Sequence, residues 1–193
     1  MKIIIATKNS GKVEEFRELF SSFDIQFLSL LDIDYQEEIE ETGSSFYENA
    51  YIKAKQIYDI YKIPTLADDS GLCVDALGGE PGIYSARYKG LDSPKKRRRR
   101  ILEMMEGIQN RKAHFYCSLV FIDENGKDME FNGQVDGFIG YEELGDKGFG
   151  YDPIFMIDDN TSFAMLEMDE KNKISHRGLA IEKFKEYLNG LSH

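Results

Sequence analysis

The chain opens on a β-branched run, Lys2 to Thr7, and from Gly11 onward Val13, Phe16, Leu19, Phe20 and Phe23 recur at helical spacing. This predicts a strand, a loop and a helix in succession. Ile25 to Leu31 reads as a second strand. Ser45 followed by Glu48 forms a capping box, and Phe46, Ala50, Ile57 and Tyr61 mark the buried stripe of the helix it opens. Asn49 and Lys53 flank that stripe, one helical turn apart. Pro64 ends the helix, and a third strand passes through Leu66 and Ala67 into Asp68-Asp69, where Ser70-Gly71 is expected to turn the chain and leave both acids at a strand end. Ser93 with Pro94 opens another helix. Ala113 to Asp123 and Met129 to Ile139, joined by Asp123-Glu124-Asn125-Gly126, predict a long antiparallel hairpin. Ala180, Ile181, Phe184 and Leu188 mark a last amphipathic helix that follows Ser175-His176-Arg177.

Composition narrows the function classes. At 193 residues the chain fits one large domain, or one domain with two lobes, and can bury a sizeable core. A formal charge of −11 disfavours unspecific binding to nucleic acid or anionic membrane, so a polyanionic ligand must meet a local basic cluster. Cys73 and Cys117 stand apart in apolar stretches, without the pairing of a disulfide framework or zinc site, and read as buried thiols in a reducing compartment. Ile3-Ile4-Ile5-Ala6 is too short for a signal-peptide core, and no segment is apolar enough to span a bilayer. A cytoplasmic location is expected.

Several stretches carry chemistry. Adjacent carboxylates repel and are costly to desolvate unless a metal or cations offset them, so Asp68-Asp69 is a candidate magnesium or general-base site. An acidic turn uses the same residues. The loop Thr7-Lys8-Asn9-Ser10-Gly11-Lys12 offers hydroxyl, amide and ammonium groups at a helix N-terminus, as phosphate oxygens require, although taken alone it reads first as a plain N-cap by Asn9 or Ser10. It lacks the first glycine of a Walker A loop. Asp32, Asp34, Glu37, Glu38, Glu40 and Glu41 crowd one segment, from which an acid can reach a metal shared with Asp68-Asp69. Gly78 to Tyr88 is a glycine-rich loop with two tyrosines and an arginine. The six cations Lys95 to Arg100 cover every side of a helix and read first as a solvated, salt-bridged surface, second as a nucleic-acid patch. In Tyr141 to Pro153, three glycines interleave with Phe149, Tyr151 and Asp152, suggesting backbone close to a ligand beside an aromatic face. His176-Arg177 places cations at the positive end of a helix, which an anion or ligand must compensate.

Taken in order, T-x-N-x-x-K at Thr7 to Lys12, EETGSSFYENA at Glu40, ADDSGL at Ala67, GGEPGIYSARY at Gly78, GFGYDP at Gly148 and SHRG at Ser175 resemble the inosine/xanthosine triphosphate pyrophosphatase family over nearly the whole chain. The resemblance implies an elongated two-lobed α/β fold with a long central mixed sheet, an active-site cleft between the lobes, and a homodimer. It implies Mg2+-dependent hydrolysis of non-standard purine nucleoside triphosphates (XTP, ITP, dITP) to monophosphate and pyrophosphate. Thr7, Lys8, Asn9, Ser10, Gly11, Lys12 and Lys53 would then meet the phosphates, Glu41 and Asp69 the metal, and Asp69 would be the general base with Ser70 a substrate contact. Phe149 would stack on the base, within a pocket of Gly150, Tyr151, Asp152, Lys171, His176 and Arg177. Two alternatives remain at this stage: a non-catalytic nucleotide-binding regulator, and a related pyrophosphatase of different base specificity.

Overall fold

The computed structural model describes residues 1–191. Among these, seven strands form one sheet: β1 (Lys2–Ile5), β2 (Gln26–Ser29), β3 (Thr65–Val74), β4 (Lys112–Ile122), β5 (Asp128–Ile139), β6 (Phe155–Asp158) and β7 (Thr161–Ser162), in the order β2-β1-β3-β4-β5-β6-β7. β1 runs parallel to β2 and to β3, whereas β5, β6 and β7 pair antiparallel, so the sheet is mixed. Five α-helices accompany it: α1 (Ser10–Leu19), α2 (Phe46–Tyr61), α3 (Pro94–Met104), α4 (Met168–Ile174) and α5 (His176–Leu191). The chain divides into two compact units, and the division falls within β3, β4 and β5.

The first unit comprises Met1–Asp69, Cys117–Gly133 and the chain from Arg177 onward. Its strand β1 is buried on both faces, which is why it reads as an unbroken apolar run instead of an alternating one. Ile3, Ile5 and Leu66 face Phe16 and Leu19 of α1 and Ala180, Ile181, Phe184 and Leu188 of α5. Ile4, Ala6 and Ala67 face Ala50, Ala54 and Ile57 of α2. Phe20 stacks on Phe27 at 4.1 Å and meets the edge of Phe184, closing the first of these layers with favourable ring geometry.

The second unit, Ser70–Tyr116 with Gln134–His176, has its own core of Leu72, Val74, Ile101, Met105, Phe115, Ile139, Ile154, Phe155 and Phe163. Buried Arg111 ties it together by donating to the carbonyls of Met105, Ile108, Ile139 and Gly140. Gly137 is required by crowding, because a Cβ there would stand 2.4 Å from the Met156 carbonyl oxygen.

The expected helices and the hairpin are present, with three differences. β3 does not turn at Ser70-Gly71 but continues to Val74, so Asp68 and Asp69 lie in mid-strand. β1 reaches only to Leu66 in its pairing with β3, and the two acids stand just beyond the carboxyl end of that parallel neighbour. In α2, Asn49 and Lys53 lie within the buried stripe instead of beside it, and Tyr61 is exposed. α5 begins at His176, so His176-Arg177 forms its first turn instead of preceding it.

Candidate active site

A β-strand sends successive side chains to opposite faces, and this alone separates the two adjacent acids. Asp68 shares the face of Leu66 and meets α1 and α5: Lys12 Nζ lies 3.1 Å and Arg177 Nη2 3.2 Å from its Oδ2. Burial pushes Asp68 up, but the cations of Lys12, Arg177 and Lys53 outweigh it and hold the carboxyl well below the usual range. Asp69 shares the face of Ala67 and meets α2, with Lys53 Nζ 3.9 Å away. Here burial dominates, the Glu41 and Asp68 charges add to it against Lys53 and Lys12, and the carboxyl is raised to about 6. Its Oδ2 has no hydrogen-bond partner among the described residues. One acid is thus held ionised, and the other has a raised proton affinity.

Lys53 links the two. Its ammonium donates to the Asp68 backbone carbonyl at 2.6 Å and stands 3.3 Å from Glu41 Oε1. Burial lowers its proton affinity, and Glu41, Asp68 and Asp69 more than restore it. From the acidic run, Glu41 is the carboxylate that joins Lys53 beside Asp69. Asp32 instead caps Ser29 through its N–H and Oγ and pairs with Arg17.

The placement of Glu41 is built from α2. Asn49, fully buried one turn before Lys53, accepts from the Gly43 N–H through Oδ1 at 2.8 Å. A Cβ on Gly43 would stand 2.6 Å from Glu48 Cβ and 2.8 Å from that oxygen, so only glycine brings the segment close enough. Ser45 caps α2 by accepting from the Glu48 N–H, and Glu48 accepts in return from the N–H and Oγ of Ser44.

In the first loop, Asn9 caps α1 by accepting from the Lys12 N–H, and Thr7 Oγ1 accepts from the Asn9 N–H. The cap is real, and it coexists with a Lys12 ammonium directed to Asp68. Ser10 and Gly11 open α1. Lys8 donates to the Glu37 carbonyl and lies over the Tyr35 ring.

The second unit gathers another set. Lys171, buried on α4, pairs with Asp152 at 2.6 Å and stands 4.8 Å from the Phe149 ring centroid. Asp152 Oδ2 also accepts from the Phe149 N–H. Gly148 has a positive φ, and a Cβ there would lie 2.2 Å from Asp152 Oδ2, so the turn admits only glycine. Tyr151 donates to the Ser85 carbonyl, and Ser85 Oγ in turn accepts from the Leu72 N–H. His176 is buried and stacks on Phe115 at 4.7 Å. Half-buried Ser70 is the first residue of this unit.

Arg177 belongs to the first unit, where its guanidinium is bonded to Asp68 and to the buried carboxylate of Glu15. Those anions are the compensation that a cation in the first turn of a helix requires. Glu15 was not legible as a functional residue; the signal was an acid between Val13 and Phe16 on the buried side of α1. The role of Asn49 in holding Gly43 was likewise missed, though its place in ETGSSFYENA pointed to it.

Among the described residues no group of three or more His, Cys, Asp or Glu side chains gathers as a metal cluster, and no helix is long and apolar enough to cross a membrane. The sequence matches the Ham1 family model over residues 3–187. It is 45% identical over 193 residues to a dITP/XTP pyrophosphatase of Bacillus anthracis, covering 96% of this chain and 95% of that one. It is 46% identical over 195 residues to a dITP/XTP pyrophosphatase of Oceanobacillus iheyensis, covering 97% and 98%. Among solved structures, a HAM1 protein from Coxiella burnetii superposes with a TM-score of 0.88 at 38% identity, over 98% of this chain and 99% of that one. With a family match over residues 3–187, relatives 45% or more identical over almost their entire length and the same fold, the chain belongs to the Ham1 family.

Proposed function

We propose that this protein hydrolyses non-standard purine nucleoside triphosphates, XTP, ITP and dITP, to the monophosphate and pyrophosphate. The observation that carries the reading is that the strand parts the two acids: the first, Asp68, is saturated by Lys12 and Arg177, while the second, Asp69, lies beside Lys53, which also meets Glu41, with an Oδ2 that has no hydrogen-bond partner among the described residues. A protein that only binds nucleotide has no use for the second, and general bases work best near ambient pH. The names of its relatives supply the substrate class.

The phosphates are handled by the first unit. Lys12 and Lys53 offset the charge that develops on the leaving pyrophosphate, and Thr7, Lys8, Asn9, Ser10 and Gly11 present hydroxyl and N–H donors to the phosphate oxygens. Asp69 accepts a proton from water as its oxygen attacks the α-phosphorus and the bond to the bridging oxygen breaks, releasing pyrophosphate. Ser70, next in the strand, contacts the substrate. Glu41 and Asp69 suit Mg2+, which takes one or two carboxylates and fills its other positions with water and phosphate oxygens, so a cluster of three acids is not needed. When bound, the ion neutralises phosphate charge and lowers the proton affinity of water.

The base is handled by the second unit. Phe149 offers a stacking face beside Gly150 and Tyr151, and Asp152, Lys171 and His176 supply donors and acceptors suited to a 6-oxo purine. Arg177 was grouped with them by resemblance; its bonds favour the role of keeping Asp68 ionised. A homodimer and a cytoplasmic site of action complete the proposal, the latter supported by two buried free thiols, of which Cys73 is pushed by burial up to about 11.

The test is to incubate the purified protein with ITP, XTP, dITP and the four standard triphosphates, with Mg2+ or with chelator, and assay monophosphate and pyrophosphate. The expected result is preferential, Mg2+-dependent release of pyrophosphate from the first three. Binding without turnover would establish the regulator instead.

A further inference from the structure

The basic run of α3 is left unexplained by catalysis. Most of it is spent locally: Lys96 pairs with Asp92, Arg99 and Arg100 with Glu103, and Arg97 donates to the Leu91 carbonyl. Exposed pairs of this kind contribute little to stability. Arg98 behaves differently. Its Nε and Nη2 meet the two oxygens of Glu143 at 2.9 and 3.4 Å, while Nη1 donates to the Gly150 carbonyl at 2.9 Å, and its side chain is only 15% exposed.

Gly150 follows Phe149, and Gly148 precedes it. Both glycines have positive φ, and a hydrogen bond reaches the backbone on either side of the Phe149 side chain. On the near side Asp152 takes the Phe149 N–H. On the far side the Gly150 carbonyl is taken by Arg98. We propose that Arg98 is a positioning residue for base recognition: reaching from α3, its guanidinium fork uses Glu143 as a brace and fixes the Gly150 peptide, and through it the attitude of the Phe149 ring. The planar fork makes both contacts at once, which a lysine ammonium at the end of a flexible stem does not reproduce.

This rests on Phe149 being the base-stacking residue, so the experiment tests both levels separately. Arg98→Ala, Arg98→Lys, Glu143→Gln, Phe149→Ala and the Arg98→Ala/Phe149→Ala pair are assayed with ITP, and for inhibition by inorganic tripolyphosphate, which has no base. Arg98→Ala is expected to raise KM for ITP about threefold to tenfold, the worth of one ordinary hydrogen bond, with kcat within about twofold. The tripolyphosphate inhibition constant should stay unchanged, and Arg98→Lys and Glu143→Gln should fall between Arg98→Ala and the native protein. In the Phe149→Ala background, Arg98→Ala should add almost nothing, since coupled residues are non-additive. An unchanged KM in Arg98→Ala while Phe149→Ala raises it would overturn the Arg98 role alone. Silence of both variants would overturn the stacking role of Phe149 as well. Full additivity, or a parallel rise in the tripolyphosphate constant, would make Arg98 a general structural residue and end the proposal.

Discussion

Asp68 and Asp69 are neighbours in sequence with opposite electrostatic fates, and the cause is the two-residue period of a strand. Linkage gives the two opposite signatures in stability. Asp68 is held below its ordinary value in the folded protein, so its contribution is present above that ordinary value and is lost as pH falls below it. Asp69 is raised from 3.8 to about 6, so the metal-free folded protein binds the proton more tightly than the unfolded chain, and stability declines as pH rises through that window. Asp69→Asn removes the decline. At pH 7, without metal, this variant should unfold at higher urea than the native protein, by about 1–3 kcal/mol at one pK unit per 1.36 kcal/mol. The same variant should lose on the order of a hundredfold to ten-thousandfold in kcat while still binding nucleotide. Arg177→Met should do the reverse at this scale. It leaves the carboxylates of Asp68 and Glu15 buried without their shared cation, and breaking such a pair costs about 3–5 kcal/mol, read as a lowered urea midpoint at neutral pH.

At the level of elements, α2 works as a ruler. Its buried stripe carries Asn49 and Lys53 one turn apart, so one helix face both pins the chain at Gly43 and catches Glu41 two residues earlier. Gly43→Ala intrudes on Glu48 Cβ and on the Asn49 oxygen that serves the Gly43 N–H, and the segment must move outward. Asn49→Ala removes the same hydrogen bond without the clash. Both variants should weaken Mg2+ binding, raising the Mg2+ concentration for half-maximal rate about threefold or more for a lost bond of roughly 0.5–1.5 kcal/mol. Mn2+ titration of the nucleotide-free protein by electron paramagnetic resonance gives the independent readout. An unaltered metal affinity with only a lowered melting temperature would show that α2 supports the fold and not the metal site.

Across the whole molecule, what was legible in the sequence was whatever depends on near neighbours. The periodicity of α1, α2 and α5, the Ser45 and Ser93 caps and the Asp123 to Gly126 turn are all local, and all are present. What escaped is long-range. Ser70-Gly71 carries turn residues, yet β3 has β4 beside it and continues as strand. Arg177 bonds a glutamate 162 residues away, and Arg98 meets a carbonyl 52 residues away, pairings that no local pattern encodes. The residue types of the candidate groups were correspondingly legible, but not which compact unit holds each: Lys12, Lys53, Glu41 and Asp69 lie in the first, and Phe149, Asp152, Lys171 and His176 in the second. That partition makes a prediction. On the proposed phosphate role, Lys12→Ala should lower kcat/KM for ITP, XTP and GTP by one common factor, and weaken inhibition by inorganic tripolyphosphate. On the proposed stacking role, Phe149→Ala removes a face worth about 1–3 kcal/mol per base, along with the ring beside Lys171, and should raise KM for the nucleotides about fivefold or more while leaving tripolyphosphate inhibition unchanged. Measured together, the two variants should therefore separate along the substrate, one along its phosphates and the other along its base. If Lys12→Ala shifted the ratio of ITP to GTP, or Phe149→Ala weakened tripolyphosphate as much as ITP, phosphate and base recognition would not be divided between the units, and the roles given to these side chains would have to be redrawn.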